Sequence, residues 1–252
     1  MSSEPPRISL EAEHTPAAVR RRLDRRPAPS YLRDFIYGAI DGTITTFAVV
    51  AGVEGASLDA TIVIILGAAN LLADGFSMAA SNFLGSRAER QQRELARSEE
   101  RRHIALVPAG EREELRQIFA AKGFAGADLE RVVDVISADP EVWADTMMVE
   151  ELGYGTTEPS ELRAAASTFV AFIAVGFLPL APFVYDLVAP SDLSGTFAWS
   201  AAMAAVAFFA VGSLKARFVA QRWWRSGLET LAIGGLAATV AYLVGAALQG
   251  IA

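Results

Sequence analysis

The sequence predicts an all-α integral membrane protein with five transmembrane helices and a cytoplasmic helical domain inserted between spans two and three. Composition and charge placement lead to this prediction. Of the 252 residues, 52% are hydrophobic, yet no lysine or arginine occurs in residues 34–86, 164–214 or 226–252. Because a charged side chain at the centre of a bilayer costs about 3 kcal/mol or more, this segregation is typical of membrane-spanning segments.

Five apolar stretches reach the length of about 20 residues that a helix needs to cross a bilayer. An open sheet cannot satisfy its backbone polar groups in lipid, so we expect every span to be helical. Two prolines, Pro179 and Pro182, lie near the far end of the third stretch. The predicted spans are residues 35–53, 60–84, 164–185, 196–214 and about 230–248.

The basic residues predict the orientation of the spans. All 22 lysines and arginines fall on one side of the membrane if the N-terminus is cytoplasmic, which places the C-terminus on the opposite side. Lysine and arginine accumulate in cytoplasmic loops, so we expect this orientation. The arginines of residues 20–26 lie next to a span. We interpret them as a topology anchor that touches anionic lipid, and we expect no nucleic-acid partner.

The span boundaries divide the chain into four parts. The inserted block has 79 residues with 17 acidic and 11 basic side chains, and we expect it to be a helical metal-binding domain. The parts are residues 1–30, a cytoplasmic N-terminal segment; 31–84, spans one and two; 85–163, the inserted domain; and 164–252, spans three to five.

Helical signals recur along the inserted block. Residues 87–104 lack an apolar stripe and are expected to extend span two into water. Apolar residues from Leu129 to Ile136 repeat with helical spacing. Asp139 is expected to cap the next helix, with Pro140 in its first turn, and Gly153 is expected to end it.

An aspartate interrupts span one. An uncompensated carboxylate at Asp41, in the middle of the span, is costly, so this residue is a functional candidate. The alternative is a protonated or hydrogen-bonded structural aspartate. Gly38 and Gly42 flank Asp41, and their spacing lets another helix approach closely.

Span two carries Asn70, Asp74, Met78 and Asn82 at successive steps of four residues, which predicts one polar, sulfur-bearing stripe. Carboxylate, amide and thioether groups together suit a divalent transition metal better than calcium or magnesium, which prefer oxygen ligands. The alternative is that these side chains only bind neighbouring helices. We predict a transport pathway that includes Asp41, Asn70, Asp74 and Met78.

The inserted block offers further candidate metal ligands. They come in pairs three or four residues apart, so that both members share a helix face. A surface glutamate pair is usually a solvated helix face, and that alternative stays open. The chain contains no cysteine, which excludes disulfides and thiolate metal sites. The candidate ligands are Glu100, His103, Glu111, Glu114, Met147, Met148 and Glu151.

Three short segments resemble the vacuolar iron transporter family. They are residues 41–47 in span one, residues 72–78 in span two and residues 147–151 in the inserted block. The order of spans and insert agrees as well, from about Tyr31 to the C-terminus, and we expect a bacterial-type member. The resemblance implies a homodimer whose pathway lies near paired first spans and exchanges iron(II) for protons.

The resemblance also implies roles for individual residues. It puts the pathway aspartate of the family at Asp41 and the pathway methionine at Met78. The metal-binding glutamates and methionines of the family fall on Glu100, Glu111, Glu114, Met147, Met148 and Glu151. Three positions depart from the family pattern. His103, Asn70 and Asn82 stand where acidic residues are expected, and the two asparagines cannot carry a proton.

These observations predict a transporter, and not an enzyme, that exports iron(II) or manganese(II) from the cytosol in exchange for protons. The ion is both transported and bound, and no organic cofactor is expected. We expect a multi-pass protein of the lipid bilayer, in the cell (inner) membrane if bacterial. The alternatives are a membrane-anchored metal sensor and a ferroxidase-like protein. A ferroxidase needs a second Glu-x-x-His motif, and the only histidine besides His103 is His14.

Overall fold

The computed structural model describes residues 11–24, 29–155, 157, 159–189, 195–219 and 221–250. The predictions that concern residues 1–10, Arg25, Arg26 and residues 190–194 lie outside the described residues. Every regular element in the described part is a helix, as the sequence predicts. The chain divides into an insert unit, Met1–Ser30 with Arg90–Glu158, and a span unit, Tyr31–Glu89 with Pro159–Ala252.

The helices follow the predicted order. The span unit contains α2 (Leu32–Gly55), the first part of α3 (Ala60–Leu106), α7 (Glu161–Gly176), α8 (Ala181–Val188), α9 (Thr196–Lys215) and α10 (Trp223–Leu248). The insert unit contains α1 (Pro16–Asp24), the last part of α3, α4 (Pro108–Ala121), α5 (Gly126–Ser137) and α6 (Pro140–Glu150). Span two and the first helix of the insert are therefore one continuous helix, as expected.

Among the described residues, four helices, α2, α3, α9 and α10, are long and apolar enough to cross a membrane, and the pair α7 and α8 makes a fifth if it counts as one span. The two helices of that pair are bent by 58°. Pro179 and Pro182 lie at this bend, where a proline cannot continue a helical hydrogen-bond ladder. The Ser200 hydroxyl of α9 donates a hydrogen bond of 2.6 Å to the Pro179 carbonyl, so this backbone oxygen stays satisfied.

Contacts inside the span unit show that neighbouring spans alternate in direction. Span two runs against span one, because Asn70 contacts Thr45 whereas Asn82, further along, contacts Asp34 near the start of span one. Span three runs parallel to span one, with Gly38 facing Thr168 and Gly42 facing Phe172. Span five also runs parallel to span one, and span four runs against span five. The start of span one and the turn between spans four and five therefore lie at the same end.

Glycines allow the closest helix contacts of span one. A Cβ added at Gly42 would lie 2.5 Å from the Phe172 carbonyl oxygen, and one at Gly38 would clash with the Thr168 carbonyl oxygen. The spacing of Gly38 and Gly42 predicts a closely packed partner helix, and that partner is span three of the same chain. Near the other end, a Cβ added at Gly245 of span five would clash with the Gly52 carbonyl oxygen.

The insert unit has its own apolar core, built from the faces that helical periodicity predicts. Leu115 and Val133 are fully buried there with Ile104, Trp143, Ala144 and Met147. The Asp139 side chain accepts hydrogen bonds from the backbone N–H groups of Glu141 and Val142, which confirms the predicted cap of α6. Gly153 has a positive φ of 70° just after this helix.

Span five begins earlier than its apolar run suggests. Helix α10 starts at Trp223, seven residues before the predicted start at residue 230. The charged residues Arg225 and Glu229 lie within its first two turns. Glu229 pairs with Lys215 of span four at 3.6 Å, and Arg225 lies over the Trp224 ring.

Candidate metal sites

The first candidate site lies in the insert unit and centres on two buried glutamates. Glu100 of α3 is 5% exposed and Glu111 of α4 is 6% exposed. Their carboxyl groups lie within hydrogen-bonding reach of each other. Oε1 of Glu100 and Oε2 of Glu111 are buried without a hydrogen-bond partner among the described residues. Because buried polar atoms are normally paired, these two oxygens are available to a proton or a cation.

Burial and neighbouring acids change the protonation of this cluster. Burial, followed by the hydrogen bond and charge of Glu111, raises the pKa of Glu100 to about 8. Burial also raises the pKa of Glu151, and the charges of Glu114 and Glu111 act in the same direction. At neutral pH the cluster therefore holds a proton, which a divalent cation can replace.

The structure brings five of the seven predicted ligands of the insert into electrostatic contact. The Nδ1 atom of His103 lies 3.6 Å from Oε1 of Glu111, and Glu114 and Glu151 interact by charge with Glu100. However, no three histidine, aspartate or glutamate side chains converge closely enough to hold one metal ion in the described part of the chain. In this arrangement the cluster is a pair of buried carboxyls with acidic neighbours, and not a closed coordination shell.

The two methionines have a more apolar environment. Met147 is fully buried and belongs to the core of the insert unit, where it packs with Leu115 and Trp143. Met148 is 3% exposed, and its backbone carbonyl accepts a hydrogen bond from the Tyr154 N–H. Both thioethers are therefore shielded from water, and the packing of Met147 is one reason for its presence.

Ion pairs position the helices that carry the cluster. Arg97 and Arg101 of α3 bind the Glu141 carboxylate of α6 at 3.1 and 2.5 Å. Arg116 of α4 binds Glu130 of α5 at 2.9 Å. Each pair is largely exposed and contributes little energy alone, but the pairs tie α3 to α6 and α4 to α5 near the buried glutamates.

The second candidate site lies in the span unit around Asp41. Asp41 is half-buried, and Asp74 of span two lies close enough for the two charges to interact. The Asn70 side chain donates a hydrogen bond of 3.2 Å to the Thr45 hydroxyl, which itself donates to the Asp41 carbonyl. Met78 is half-buried against the apolar core of the unit. Asn70 thus ties span two to the turn that bears Asp41.

Asp74 has a different environment from the rest of the predicted stripe. Steps of four residues drift around a helix, and Asp74 is exposed on the outer face of span two, whereas Asn70, Met78 and Asn82 are half-buried. Exposed small residues accompany it at positions 69, 73, 77 and 81. A carboxylate on the outer face of a membrane span is costly unless another protein surface or a cation meets it.

Sequence reasoning missed a third polar group, Asp34. This carboxylate is 7% exposed near the start of span one, and the Asn82 amide donates to it at 3.0 Å. Asn82 also donates to the Thr168 hydroxyl of span three at 2.7 Å. The network joins three spans at one end of the unit. No local signal indicates it, because its members are 48 and 86 residues apart in the chain.

Comparison with known proteins identifies the family. The sequence profile of the VIT family matches residues 32–246. A vacuolar iron transporter from Toxoplasma gondii is 35% identical over 227 residues, which cover 87% of this chain and 74% of that protein. Vacuolar iron transporter 1 from Arabidopsis thaliana is 30% identical over 246 residues, 96% of each chain, and the protein of that name from Oryza sativa is 32% identical over 221 residues.

These relatives confirm the resemblance, whereas the expectation of a bacterial-type member receives no support from them. A transporter family argues against the enzyme alternative. Together with the apolar helices of the span unit, the match makes the chain a multi-pass membrane protein. The chain belongs to the VIT family.

Proposed function

We propose that this protein exports iron(II), with manganese(II) as the alternative cargo, from the cytosol in exchange for protons. The observation that carries the proposal is the pair Asp41 and Asp74, whose charges interact inside apolar spans of a chain with iron transporters among its relatives. Two close carboxylates in such surroundings cannot both stay charged unless a cation joins them. Either a metal ion or protons satisfy them, and that competition is the physical basis for exchange.

The departures at Asn70 and Asn82 limit the proton capacity of the pathway. Both amides act as hydrogen-bond donors between spans, to Thr45 and to Asp34. Within the predicted stretches 35–53 and 60–84, Asp41 and Asp74 are the only acidic residues. Exchange in this chain therefore depends on these two carboxylates, with Met78 as a thioether ligand that favours a transition metal over calcium.

The insert supplies metal to this pathway in our proposal. Its acidic cluster exchanges the proton on Glu100 for a divalent cation. The side chains of Glu100, Glu111 and His103 do not converge on one point without metal, so they would move together to bind it. Glu114, Met147, Met148 and Glu151 complete the predicted donor set. The cluster would raise the local metal concentration and buffer the free ion in the cytosol.

A homodimer is part of the proposal. Span two exposes Asp74 together with small residues at positions 69, 73, 77 and 81. Small residues at steps of four let two membrane helices approach closely. A second copy packed on this face would remove Asp74 from lipid and add its own carboxylates to the pathway.

The test of this function is metal flux into liposomes. The purified protein is reconstituted in their membrane, and their lumen is more acidic than the medium outside. Iron(II) or manganese(II) entry is followed with a metal-sensitive dye inside the liposomes. We expect entry into liposomes with the wild-type protein and none with Asp41→Asn, because the amide can neither carry the proton nor bind the cation as a carboxylate does.

Asp128→Asn is the matched control, because this exposed aspartate of α5 lies in the insert unit outside the predicted sites. It should transport normally, and both variants should fold and dimerise. Normal flux through Asp41→Asn would contradict the proposed pathway. Metal binding to the purified chain without any flux would favour the sensor alternative, and oxidation of iron(II) without flux would favour the ferroxidase.

A further inference from the structure

The turn between spans four and five carries more positive charge than its surroundings neutralise. Helix α9 ends at Lys215 and α10 begins at Trp223. Lys215 pairs with Glu229 at 3.6 Å, and the Arg225 guanidinium lies 5.2 Å from the Trp224 ring centroid. Arg217 and Arg222 are exposed and form no ion pair within the described residues. These two guanidinium groups are therefore free to bind an anion outside the chain.

Exposed aromatic side chains lie beside these arginines. Phe218 is 51% exposed, Trp223 is 60% exposed and Trp224 is 39% exposed. Trp223 is held in place by an edge contact with Phe209 of span four, with ring centroids 5.9 Å apart. Tryptophan has an apolar body and a polar N–H, so it favours the layer between lipid chains and water. The combination of aromatic and basic side chains matches the chemistry of a lipid headgroup layer.

The position of the turn in the span unit agrees with this chemistry. Because neighbouring spans alternate in direction, the turn lies at the end where span one starts and span two ends. Arg33 and Arg87 lie at the same end. Basic residues gather on the side of a membrane whose surface carries anionic lipids, and the attraction decays within about 10 Å of that surface.

We propose that the side chains of Arg217, Arg222, Trp223 and Trp224, between α9 and the start of α10, form a binding site for the headgroup of an anionic phospholipid. Arg217 and Arg222 bind the phosphate, since the planar guanidinium group forms two parallel hydrogen bonds to phosphate oxygens. Trp223 and Trp224 anchor the turn at the depth of the headgroups. A soluble anion needs no exposed aromatic groups beside it, and this observation favours a lipid as the occupant.

The test is a lipid titration of the purified full-length chain, followed by native mass spectrometry, with phosphatidylglycerol and with phosphatidylcholine. We expect tighter binding of phosphatidylglycerol to the wild-type protein. The double variant Arg217→Gln/Arg222→Gln is expected to bind it about 30-fold more weakly. Phosphatidylcholine binding and the melting temperature in phosphatidylcholine should stay unchanged, which shows that the variant folds.

The matched control is Arg33→Gln/Arg87→Gln, which removes the same charge from the same end of the span unit. This control should keep its affinity for phosphatidylglycerol within about twofold of the wild-type value, because its arginines are outside the turn. An equal loss in both double variants would overturn the proposal, since general attraction to the charged end would then explain the binding. Displacement of the lipid by equimolar glycerol phosphate would also overturn it.

Discussion

At the scale of single residues, two buried glutamates determine how the insert unit responds to pH. The pKa of Glu100 is raised to about 8, first by burial and then by Glu111. A glutamate in an unfolded chain has a pKa of about 4.3. Between these values the folded protein holds a proton that the unfolded chain has released. The free energy of unfolding therefore falls as pH rises from about 4.3 to about 8.

Glu100→Gln should remove this contribution to the pH dependence. The amide keeps the shape of the protonated acid and cannot ionise, so the melting temperature of the metal-free variant should exceed that of the wild type by at least about 3 °C at pH 8. At pH 5 the two proteins should have the same melting temperature. The measurement is scanning fluorimetry of the full chain in detergent across this pH range.

Glu113→Gln provides the control for this prediction. Glu113 is exposed, and hydrogen bonds from Gln117 and Arg116 lower its pKa, so loss of its charge should not stabilise the protein at pH 8. Iron(II) or manganese(II) should raise the melting temperatures of the wild type and of Glu113→Gln. The same metal should raise the melting temperature of Glu100→Gln much less. A stabilisation of all three proteins by the metal would place its binding elsewhere.

Residue-level prediction succeeded where local geometry decides and failed where the partner is distant in sequence. The i, i+3 spacing pairs Glu111 with Glu114 and Glu100 with His103 on helix faces. The structure instead brings Glu100 and His103 to Glu111, from one helix to the next. Asp34 looks from the sequence like a charged residue before span one. Its burial depends on Asn82 and Thr168, which no local pattern indicates.

At the scale of helices, span one is the element around which the span unit packs. It contacts span three through Gly38 and Gly42 and span five through Gly55. The backbones approach so closely that carbonyl oxygens of the neighbouring spans occupy the positions where side chains would start. Because lipid tails are as apolar as leucine, such close packing is what holds membrane helices together.

Gly42→Ala should therefore destabilise the protein. The added methyl group would lie 2.5 Å from the Phe172 carbonyl oxygen, and overpacking of this kind costs about 1–3 kcal/mol. We expect a lower melting temperature in detergent and reduced metal flux, since Asp41 precedes Gly42 directly.

Gly85→Ala is the matched control, because nothing lies within 4 Å of a Cβ at this helical position. Its stability should be unchanged or higher by up to about 1 kcal/mol, the difference in helix propensity between glycine and alanine. Equal stability of the two variants would show that the contact between spans one and three is looser than described.

The apolar runs predict the helices of the span unit closely, but not their bends or polar ends. Thr196 begins span four as predicted. The prolines of span three mark a break, yet they do not reveal its 58° angle, which depends on packing against neighbouring spans. Span five extends back to Trp223, and its first turns include Glu229, which forms an ion pair with Lys215 of span four. A run of apolar residues in the sequence cannot reveal such an ion pair.

At the scale of the whole molecule, the single chain leaves Asp74 exposed on an apolar span. The absence of cysteine from the sequence makes the proposed dimer directly testable. Ala73→Cys should form a disulfide-linked dimer in the membrane under mild oxidation, because Ala73 is exposed beside Asp74 on the proposed contact face. Gel electrophoresis without reductant gives the result.

Val206→Cys is the control at a similar depth in span four, where Val206 is 69% exposed. It should stay monomeric on the same gel under the same oxidation. Cross-linking of both variants to the same extent would indicate random collisions, and cross-linking through Val206→Cys alone would place the dimer contact on span four.

The central claim is that metal and protons compete for the same carboxylates. The most direct measurement is the pH of the liposome lumen after iron(II) is added outside, with no initial pH gradient and with the membrane potential clamped by potassium and valinomycin. Our account predicts that the lumen becomes more alkaline as iron(II) enters, and that Asp41→Asn abolishes both changes. Entry of iron(II) at an unchanged lumen pH would contradict exchange and identify a uniporter.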